Sequence, residues 1–204
     1  MSFHSYEPRA GHGLPHDPLN AIVAPRPIGW VSTVSESGAV NLAPYSFFNL
    51  LNYRPPIVAF ASIGWKDSVA NASAVGEFVW NLATVDLAEP MNATSATGAA
   101  DVDEMGLAGL TPLPAERVRP PRVAESPVGF ECRVADVHRL RTADGEDVDT
   151  WLVVGEVVMV HIRETCLRDG VFDTAAVRPL LRGGGSGDYF WPTPEAHLFL
   201  RRPR

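Results

Sequence analysis

The feature that most constrains the fold is a series of short, β-rich apolar segments separated by turn residues, without regular alternation of strand and helix. Ile28 to Val34 and Ala39 to Ala43 flank Ser35-Glu36-Ser37-Gly38, where the glycine can take the positive φ of a hairpin turn. Four similar segments follow, at residues 57–62, 78–84, 128–139 and 151–162. This pattern disfavours a doubly wound parallel sheet and predicts a closed or nearly closed antiparallel barrel.

Two helices are predicted outside these strands. Asp67 is suited to cap a helix N-terminus, the residues after it are small, and Gly76 can adopt the left-handed conformation that ends a helix. A second helix is predicted over residues 87–96. Because strand-like segments outnumber helical ones, we expect a mainly β chain with a few flanking helices.

The N-terminal segment, residues 1–18, is rich in His, Pro and Gly and has no periodicity. We therefore expect an arm that lies on the surface or on a partner subunit, with the folded domain spanning residues 19–204. His12 and His16 have a spacing that suits a metal on a helix, but the glycine and prolines around them argue against a helix. We expect no metal site.

Composition argues against several classes of function. The net charge is −7, whereas a nucleic-acid partner would require a clustered excess of Lys and Arg. Cys132 and Cys166 fit neither a zinc motif nor a disulfide framework. No signal peptide is visible, and no apolar run approaches the roughly 20 residues of a membrane span. We expect a soluble, cytoplasmic protein that does not bind membranes.

The segment 62–68 has the composition of a phosphate-binding turn. A strand ends there, a glycine permits a tight turn, and a helix begins, which directs free backbone N–H groups and the positive end of the helix dipole to one point. Lys66 is the only lysine among the 17 Lys and Arg residues, and the hydroxyls of Ser62 and Ser68 can join it on a phosphate. Asn71 can add an amide donor. The alternative is a solvated lysine beside an ordinary helix cap.

The segment Asn41–Asn49 suits a flat heteroaromatic ring. A proline interrupts the strand and frees backbone N–H and C=O groups that the edge of such a ring can bond. Tyr45, Phe47 and Phe48 can cover the ring faces, and Ser46 can bond its edge. The alternative is that Phe47 and Phe48 are ordinary core residues.

Three other places carry weaker signals. Ser32 and Thr33 are adjacent in a strand and face opposite ways, so one hydroxyl points inward or at a ligand. Glu156 and His161 project from opposite faces of a strand and do not form an acid–base pair. His161 is either a ligand contact or an exposed strand-end histidine. The glycine run at 183–187 lacks both the GxGxxG spacing and a following helix, so it is not a dinucleotide fingerprint.

Together these segments resemble the flavin reductase-like family of FMN-binding split barrels, in order and spacing over residues 18–190. The resemblance rests on Pro25-Arg26-Pro27-Ile28-Gly29-Trp30-Val31-Ser32-Thr33, Gly38 with Asn41–Asn49, Pro55-Pro56, Gly64 with Lys66-Asp67-Ser68 and Asn71, Gly76-Glu77-Phe78 with Asn81-Leu82, and Gly155-Glu156 with His161. Three features depart from the family pattern: Trp65 is bulky for its turn, Ser68 replaces a threonine, and the glycine-rich tail is longer.

The resemblance implies a six-stranded antiparallel Greek-key split barrel that forms a homodimer, with FMN in a groove near the subunit interface. The residues that it assigns to FMN are Ser32, Thr33, Tyr45, Ser46, Phe47, Phe48, Ser62, Lys66, Asp67, Ser68 and Asn71. In this assignment Lys66, Ser68 and Ser62 hold the phosphate, Ser32 and Thr33 face the ribityl chain, and residues 45–48 line the isoalloxazine. His161, the one catalytic candidate, closes the nicotinamide or substrate side together with residues 183–189.

The implied activity is NAD(P)H-dependent flavin reduction, with NADH or NADPH as a transient electron donor and reduced flavin passed to an oxygenase or another acceptor. Hydride transfer to the flavin needs no side-chain base, because the redox chemistry belongs to the cofactor. Two alternatives stay open. One is a non-enzymatic FMN carrier that passes electrons between protein partners. The other is a related barrel that binds haem or nothing, for which the sequence offers no well-placed axial histidine.

Overall fold

The computed structural model describes residues 1–96 and 103–203. Its main sheet contains seven strands: β1 (Gly29–Val34), β2 (Val40–Tyr45), β3 (Phe48–Tyr53), β4 (Pro56–Ile63), β5 (Glu77–Asn81), β6 (Val128–Arg141) and β7 (Asp147–Ile162). They lie in the order β2-β1-β5-β6-β7-β4-β3, and every neighbouring pair is antiparallel. The predicted mainly β, antiparallel architecture is confirmed.

The sheet curls into a barrel because its two edge strands are consecutive in the chain. Only Ser46 and Phe47 separate β2 from β3, so the two edges must approach each other. The amide of Ala61 donates to the carbonyl of Phe47 at 2.8 Å, and the rings of Tyr45 and Phe60 lie 4.8 Å apart between centroids. The short link between the edges therefore lies at the barrel wall, beside the predicted ring-binding segment.

The main sheet has one strand more than the six segments that the sequence pattern indicates, because β3 was not recognised. A register shift between Leu50 and Asn52 interrupts its pairing with β4, and such a bulge removes the alternation that identifies a strand in sequence. Leu50 and Leu51, two adjacent apolar residues, are both exposed. Nothing in the sequence pattern therefore separates an inner from an outer face.

Shorter elements surround the barrel. The helices are α1 (Leu19–Ile22), α2 (Asp67–Val75), α3 (Ala88–Ala93), α4 (Glu104–Leu107) and α5 (Thr174–Val177), and the 3-10 turns are Pro8–Ala10, Val85–Leu87, Glu164–Cys166 and Pro194–Ala196. Two-residue strands pair Pro112–Leu113 with Arg122–Val123, Leu167–Arg168 with Val171–Phe172, and Leu181–Arg182 with both Arg26–Pro27 and Tyr189–Phe190. No helix in the described ranges has the length and apolarity needed to cross a membrane.

The core fixes helix α2 against the barrel. Val69 and Ala72 of this helix are fully buried in the same cluster as Phe60 and Phe78 of the barrel strands. Gly155 is required in that cluster, because a Cβ at this position would lie 2.4 Å from the Phe78 ring. The helix is held by its apolar face, and its N-terminus is left at the barrel surface beside β2.

The predicted helices are present with changed boundaries. Gly76 ends α2 in the left-handed conformation, as predicted. The N-cap assignment was wrong, since Lys66 occupies that position and Asp67 is the first helical residue. The second predicted helix is a 3-10 turn followed by α3, and it ends before Thr94. The N-terminal arm is mostly exposed, and Arg9 contacts Asp144 in the β6–β7 hairpin at 2.9 Å.

Candidate functional site

The turn between β4 and α2 is held rigidly by its own hydrogen bonds. Gly64 has φ 85°, and its amide donates to the Asp149 carbonyl at 2.9 Å. The hydroxyl of Ser62 is fully buried and donates to the Gly64 carbonyl at 2.9 Å. Ser62 therefore fixes the shape of the turn from within, and in this structure its hydroxyl is used by the protein.

The first turn of α2 faces outward and presents the features of an anion site. Lys66 is exposed and extended at the N-cap, and its side chain caps no helix N–H group. The first backbone N–H groups of the helix therefore remain available to a ligand, together with the positive end of the helix dipole. Asp67 is also exposed, and its negative charge contributes to raising the pKa of the Tyr45 hydroxyl.

A network of amide and hydroxyl groups lies directly behind this turn. The Asn41 amide donates to Ser68 Oγ at 2.8 Å and to Thr33 Oγ1 at 3.2 Å, and the Asn71 amide donates to Thr33 Oγ1 at 3.2 Å. Ser68 and Thr33 are buried. Three of the predicted residues, Thr33, Ser68 and Asn71, are thus brought together, and Asn41 joins them although it was not predicted as a binding residue.

Tyr45 contributes an unsatisfied hydroxyl to the same place. Its side chain is 7% exposed, and no described group completes a hydrogen bond to its Oη atom. Burial raises the pKa of Tyr45, while the nearby hydroxyls of Ser68 and Ser62 oppose that rise. Ser68 Oγ accepts from Asn41 and Ser62 Oγ donates to Gly64, so each serine keeps a hydrogen-bonding position near Tyr45, but neither reaches hydrogen-bond geometry with its Oη atom. A buried hydroxyl without a partner costs about 1–3 kcal/mol, so its presence needs an explanation.

Asn41, Tyr45, Lys66 and Ser68 share one open cavity of about 380 Å³. Its lining residues are Asn41, Ala43, Pro44, Tyr45, Lys66, Asp67, Ser68, Thr94, Ser95, Ala96 and Glu104. Thr94 is fixed by the indole of Trp30, which donates to its Oγ1 at 3.0 Å, and the Glu104 carboxylate accepts from the Leu42 amide at 3.2 Å. The far wall therefore supplies a hydroxyl and a carboxylate that sequence reasoning did not identify.

A second cavity of about 270 Å³ continues the first, since both contain Pro44 and Ser95. It extends past Ser46 to Arg182 and the glycine-rich loop, defined as residues 183–187. We call the two cavities together the groove. One end of the groove is the helix turn at Lys66, and the other end lies beneath the glycine-rich loop.

The two aromatic residues after Tyr45 lie in different environments. Phe47 is 42% exposed and has the guanidinium of Arg26 5.7 Å from its ring centroid. Phe48 stacks on Trp80 with centroids 5.3 Å apart and planes 7° from parallel. Phe48 therefore packs against the core, whereas Phe47 is a surface aromatic beside Ser46.

Comparison with known proteins identifies the family. A sequence profile described as flavin reductase like domain matches residues 23–181. The chain belongs to this family. An uncharacterised protein of Halalkalibacterium halodurans is 36% identical over 174 residues, which are 82% of each chain. The structure of nitrilotriacetate monooxygenase component B from Bacillus cereus is 26% identical, with a TM-score of 0.86 over 97% of this chain and 100% of that one.

Another structural neighbour is a Pseudomonas fluorescens 2-nitrobenzoate 2-nitroreductase, 25% identical with a TM-score of 0.77 over 90% of this chain and 88% of that one. The predicted membership of the split-barrel family is therefore confirmed, and it supports flavin-related oxidoreductase activity. Family membership does not specify which residues of this chain bind a ligand. The candidates come from the geometry of the groove.

Seven predicted residues line neither cavity of the groove: Ser32, Thr33, Phe47, Phe48, Ser62, Asn71 and His161. Ser32 is fully buried, donates to the Pro121 carbonyl at 2.5 Å, and does not line either cavity. His161 lines a different cavity, where its Nε2 atom lies 2.6 Å from Oε1 of the buried Glu131. Within one protomer, His161 is therefore not part of the groove that contains Lys66.

Glu131 explains the position of His161. Its carboxylate is fully buried and accepts from the amides of Glu116 and Arg117 at 2.8 and 2.6 Å. Desolvation raises the pKa of Glu131, but the hydrogen bonds from these two amides and His161 together hold it below the usual range. His161 and the amides of Glu116 and Arg117 thus surround the Glu131 carboxylate, which links the hairpin at residues 112–123 to the barrel.

Proposed function

We propose that the groove binds FMN and that the protein is an NAD(P)H-dependent flavin reductase that acts as a homodimer. The single observation that carries the proposal is the unpartnered hydroxyl of Tyr45, which is enclosed beside the outward-facing first turn of α2. A phosphate at that turn would supply the missing acceptor. The Lys66 ammonium and the first N–H groups of the helix would hold the same phosphate.

The remaining groups of the groove match the rest of the cofactor. The Thr94 hydroxyl and the Glu104 carboxylate lie between the two ends of the groove, and both can accept hydrogen bonds from the ribityl hydroxyls. Ser46, which lines the groove, and the neighbouring Phe47 would hold the isoalloxazine. The interior of the barrel is filled by core residues such as Phe60 and Phe78, so a ring of this size must lie outside it.

Bound FMN would supply the redox chemistry, as the acceptor of a hydride from NAD(P)H, which leaves as NAD(P)⁺. The chain itself orients the two rings and excludes water. A second subunit supports that exclusion, since the surface around Phe47 carries further exposed apolar residues. They are Ile22, Val23 and Leu51, which line the same surface cavity as Phe47. An oxygenase is a candidate acceptor for the reduced flavin, by analogy with the nitrilotriacetate monooxygenase component.

Two measurements on the purified protein test the proposal. Absorption and fluorescence titration with FMN measure binding, and anaerobic addition of NADH or NADPH measures bleaching of the bound flavin. We expect a yellow complex that bleaches with at least one of the two donors. A yellow complex that neither donor bleaches, but that an external reductant does, contradicts the reductase assignment and supports the electron carrier. Protein that does not bind FMN refutes the flavin assignment itself.

A further inference from the structure

Two arginines face each other across the short strand pair at the end of the groove. Arg26 and Arg182 are register partners, and like charges directly opposite each other destabilise an antiparallel pair. Neither guanidinium forms an ion pair with a carboxylate in residues 1–96 and 103–203. Five other arginines in those ranges do, namely Arg9, Arg139, Arg141, Arg168 and Arg178. Positive charge is thus concentrated here and not neutralised by the described acids.

Arg26 uses four of its five guanidinium N–H donors on backbone carbonyls. Its Nε atom donates to Ser46 at 3.2 Å, Nη1 donates to Asn20 at 2.6 Å and also to Val23, and Nη2 donates to Gly183 at 3.1 Å. One half-buried side chain therefore joins α1, the β2–β3 link and the glycine-rich loop. Its geometry is that of a residue that positions others.

Arg182 differs because its hydrogen bonds are long and incomplete. Its Nη1 and Nη2 atoms approach the carbonyls of Asp188, Gly185 and Ser186 at 3.2 to 3.4 Å, and its guanidinium lies 4.9 Å from the Tyr189 ring centroid. The same residue lines the cavity that contains Ser46. Its donors can therefore turn to a stronger acceptor without breaking any short bond.

The glycine-rich loop is built to stay close to these arginines. Gly184 is buried, and a Cβ there would lie 2.4 Å from Cβ of Ala21 in α1. A Cβ at Gly183 would lie 2.5 Å from the Phe190 ring. Only glycine permits this approach, so the loop forms a defined wall over the second cavity.

We propose that the cavity between Ser46 and the glycine-rich loop binds the anionic group of the second substrate, with Arg182 as its contact and Arg26 as the positioning residue. This assignment rests on the proposed function, since it places the second substrate beside the flavin ring. The recognised chemistry is a phosphate or a carboxylate. Its two sources are the phosphates of the pyridine dinucleotide and the carboxylate of a small organic acceptor.

The test compares Arg182→Gln and Arg182→Lys with Arg9→Gln, a matched control on an exposed arginine. Three quantities are measured for each variant: the Kd for FMN, the KM for NADH and NADPH, and the Kd for benzoate, followed by the spectrum of bound FMN. A lost charge-assisted hydrogen bond weakens binding by about tenfold to a hundredfold. For Arg182→Gln we expect a loss of this size in either the KM for NAD(P)H or the Kd for benzoate. Arg182→Lys should recover part of it, and Arg9→Gln should change neither quantity.

The two sources give different results. If Arg182→Gln raises the KM for NAD(P)H and leaves benzoate binding unchanged, the site binds the dinucleotide phosphate. If it weakens benzoate binding and leaves the KM for NAD(P)H unchanged, the site binds an acceptor carboxylate. If Arg182→Gln changes neither quantity, or weakens FMN binding as much as either, the proposal is overturned. Calorimetric titration of flavin-free protein with benzoate separates this outcome from failure of the flavin assignment. Arg26→Lys should weaken the same ligand and increase proteolysis of the glycine-rich loop, and unchanged proteolysis would contradict its positioning role.

Discussion

Replacing Tyr45 with phenylalanine should move two measurable quantities in opposite directions. In the flavin-free protein the Tyr45 hydroxyl is buried without a hydrogen-bond partner, at a cost of about 1–3 kcal/mol. Tyr45→Phe removes this cost, so we expect the free energy of unfolding to rise by about 1–2 kcal/mol. With FMN bound, the hydroxyl bonds a charged phosphate, and its loss should raise the Kd by roughly tenfold to a hundredfold.

Urea denaturation of the flavin-free protein measures the first quantity, and quenching of FMN fluorescence measures the second. Tyr53→Phe is the matched control, because Tyr53 is 83% exposed, and neither quantity should change. A Tyr45→Phe variant that is less stable without flavin and binds FMN normally would refute the reasoning. In that case the hydroxyl serves the fold and has no part in ligand binding.

Three further changes test the structure around the groove. Gly155→Ala places a Cβ 2.4 Å from the Phe78 ring, and we expect urea denaturation to show a loss of about 1–3 kcal/mol. Glu131→Gln replaces one of the two accepting oxygens with an NH₂ donor that faces other donors, so stability at pH 7 should fall by about 1–3 kcal/mol. Because the folded pKa of Glu131 lies below its usual 4.5, wild-type stability from this group is complete above that pH and is lost as the pH falls through the lowered value. The difference from Glu131→Gln should therefore shrink in acid, and a constant difference would contradict this. Gly184→Ala pushes the glycine-rich loop from Ala21, and steady-state kinetics should show a higher KM for the second substrate with little change in FMN affinity.

Much of the barrel was predictable because its signals are local. Strand alternation, the hairpin glycine and the small residues after Lys66 each act within a few positions, and they located six strands and helix α2. The bulge in β3 cancels such a signal, since it breaks the alternation at Leu50. The N-cap was displaced by one residue because Lys66 is extended, a backbone property that side-chain preference does not determine.

The candidate site also contains residues that local sequence signals identify and residues that only the fold brings together. Lys66 and Ser68 are adjacent in sequence, and their turn could be predicted from composition alone. Asn41 could also have been found, because the short hairpin pairs it with Thr33 in the strand register. By contrast, Arg26 reaches Gly183 across 157 positions, and only the folded chain brings these residues together. The same holds for the Glu131 acceptor site that fixes His161.

The central claim is that a phosphate rests on the turn at Lys66 and Ser68. The most direct measurement is the ratio of riboflavin to FMN dissociation constants, since these ligands differ only by the phosphate. We expect wild-type protein to prefer FMN by about a hundredfold or more, and the Lys66→Ala, Ser68→Ala double variant to lose most of that preference while riboflavin affinity stays constant. A ratio that is the same in the wild-type protein and the double variant would contradict the claim.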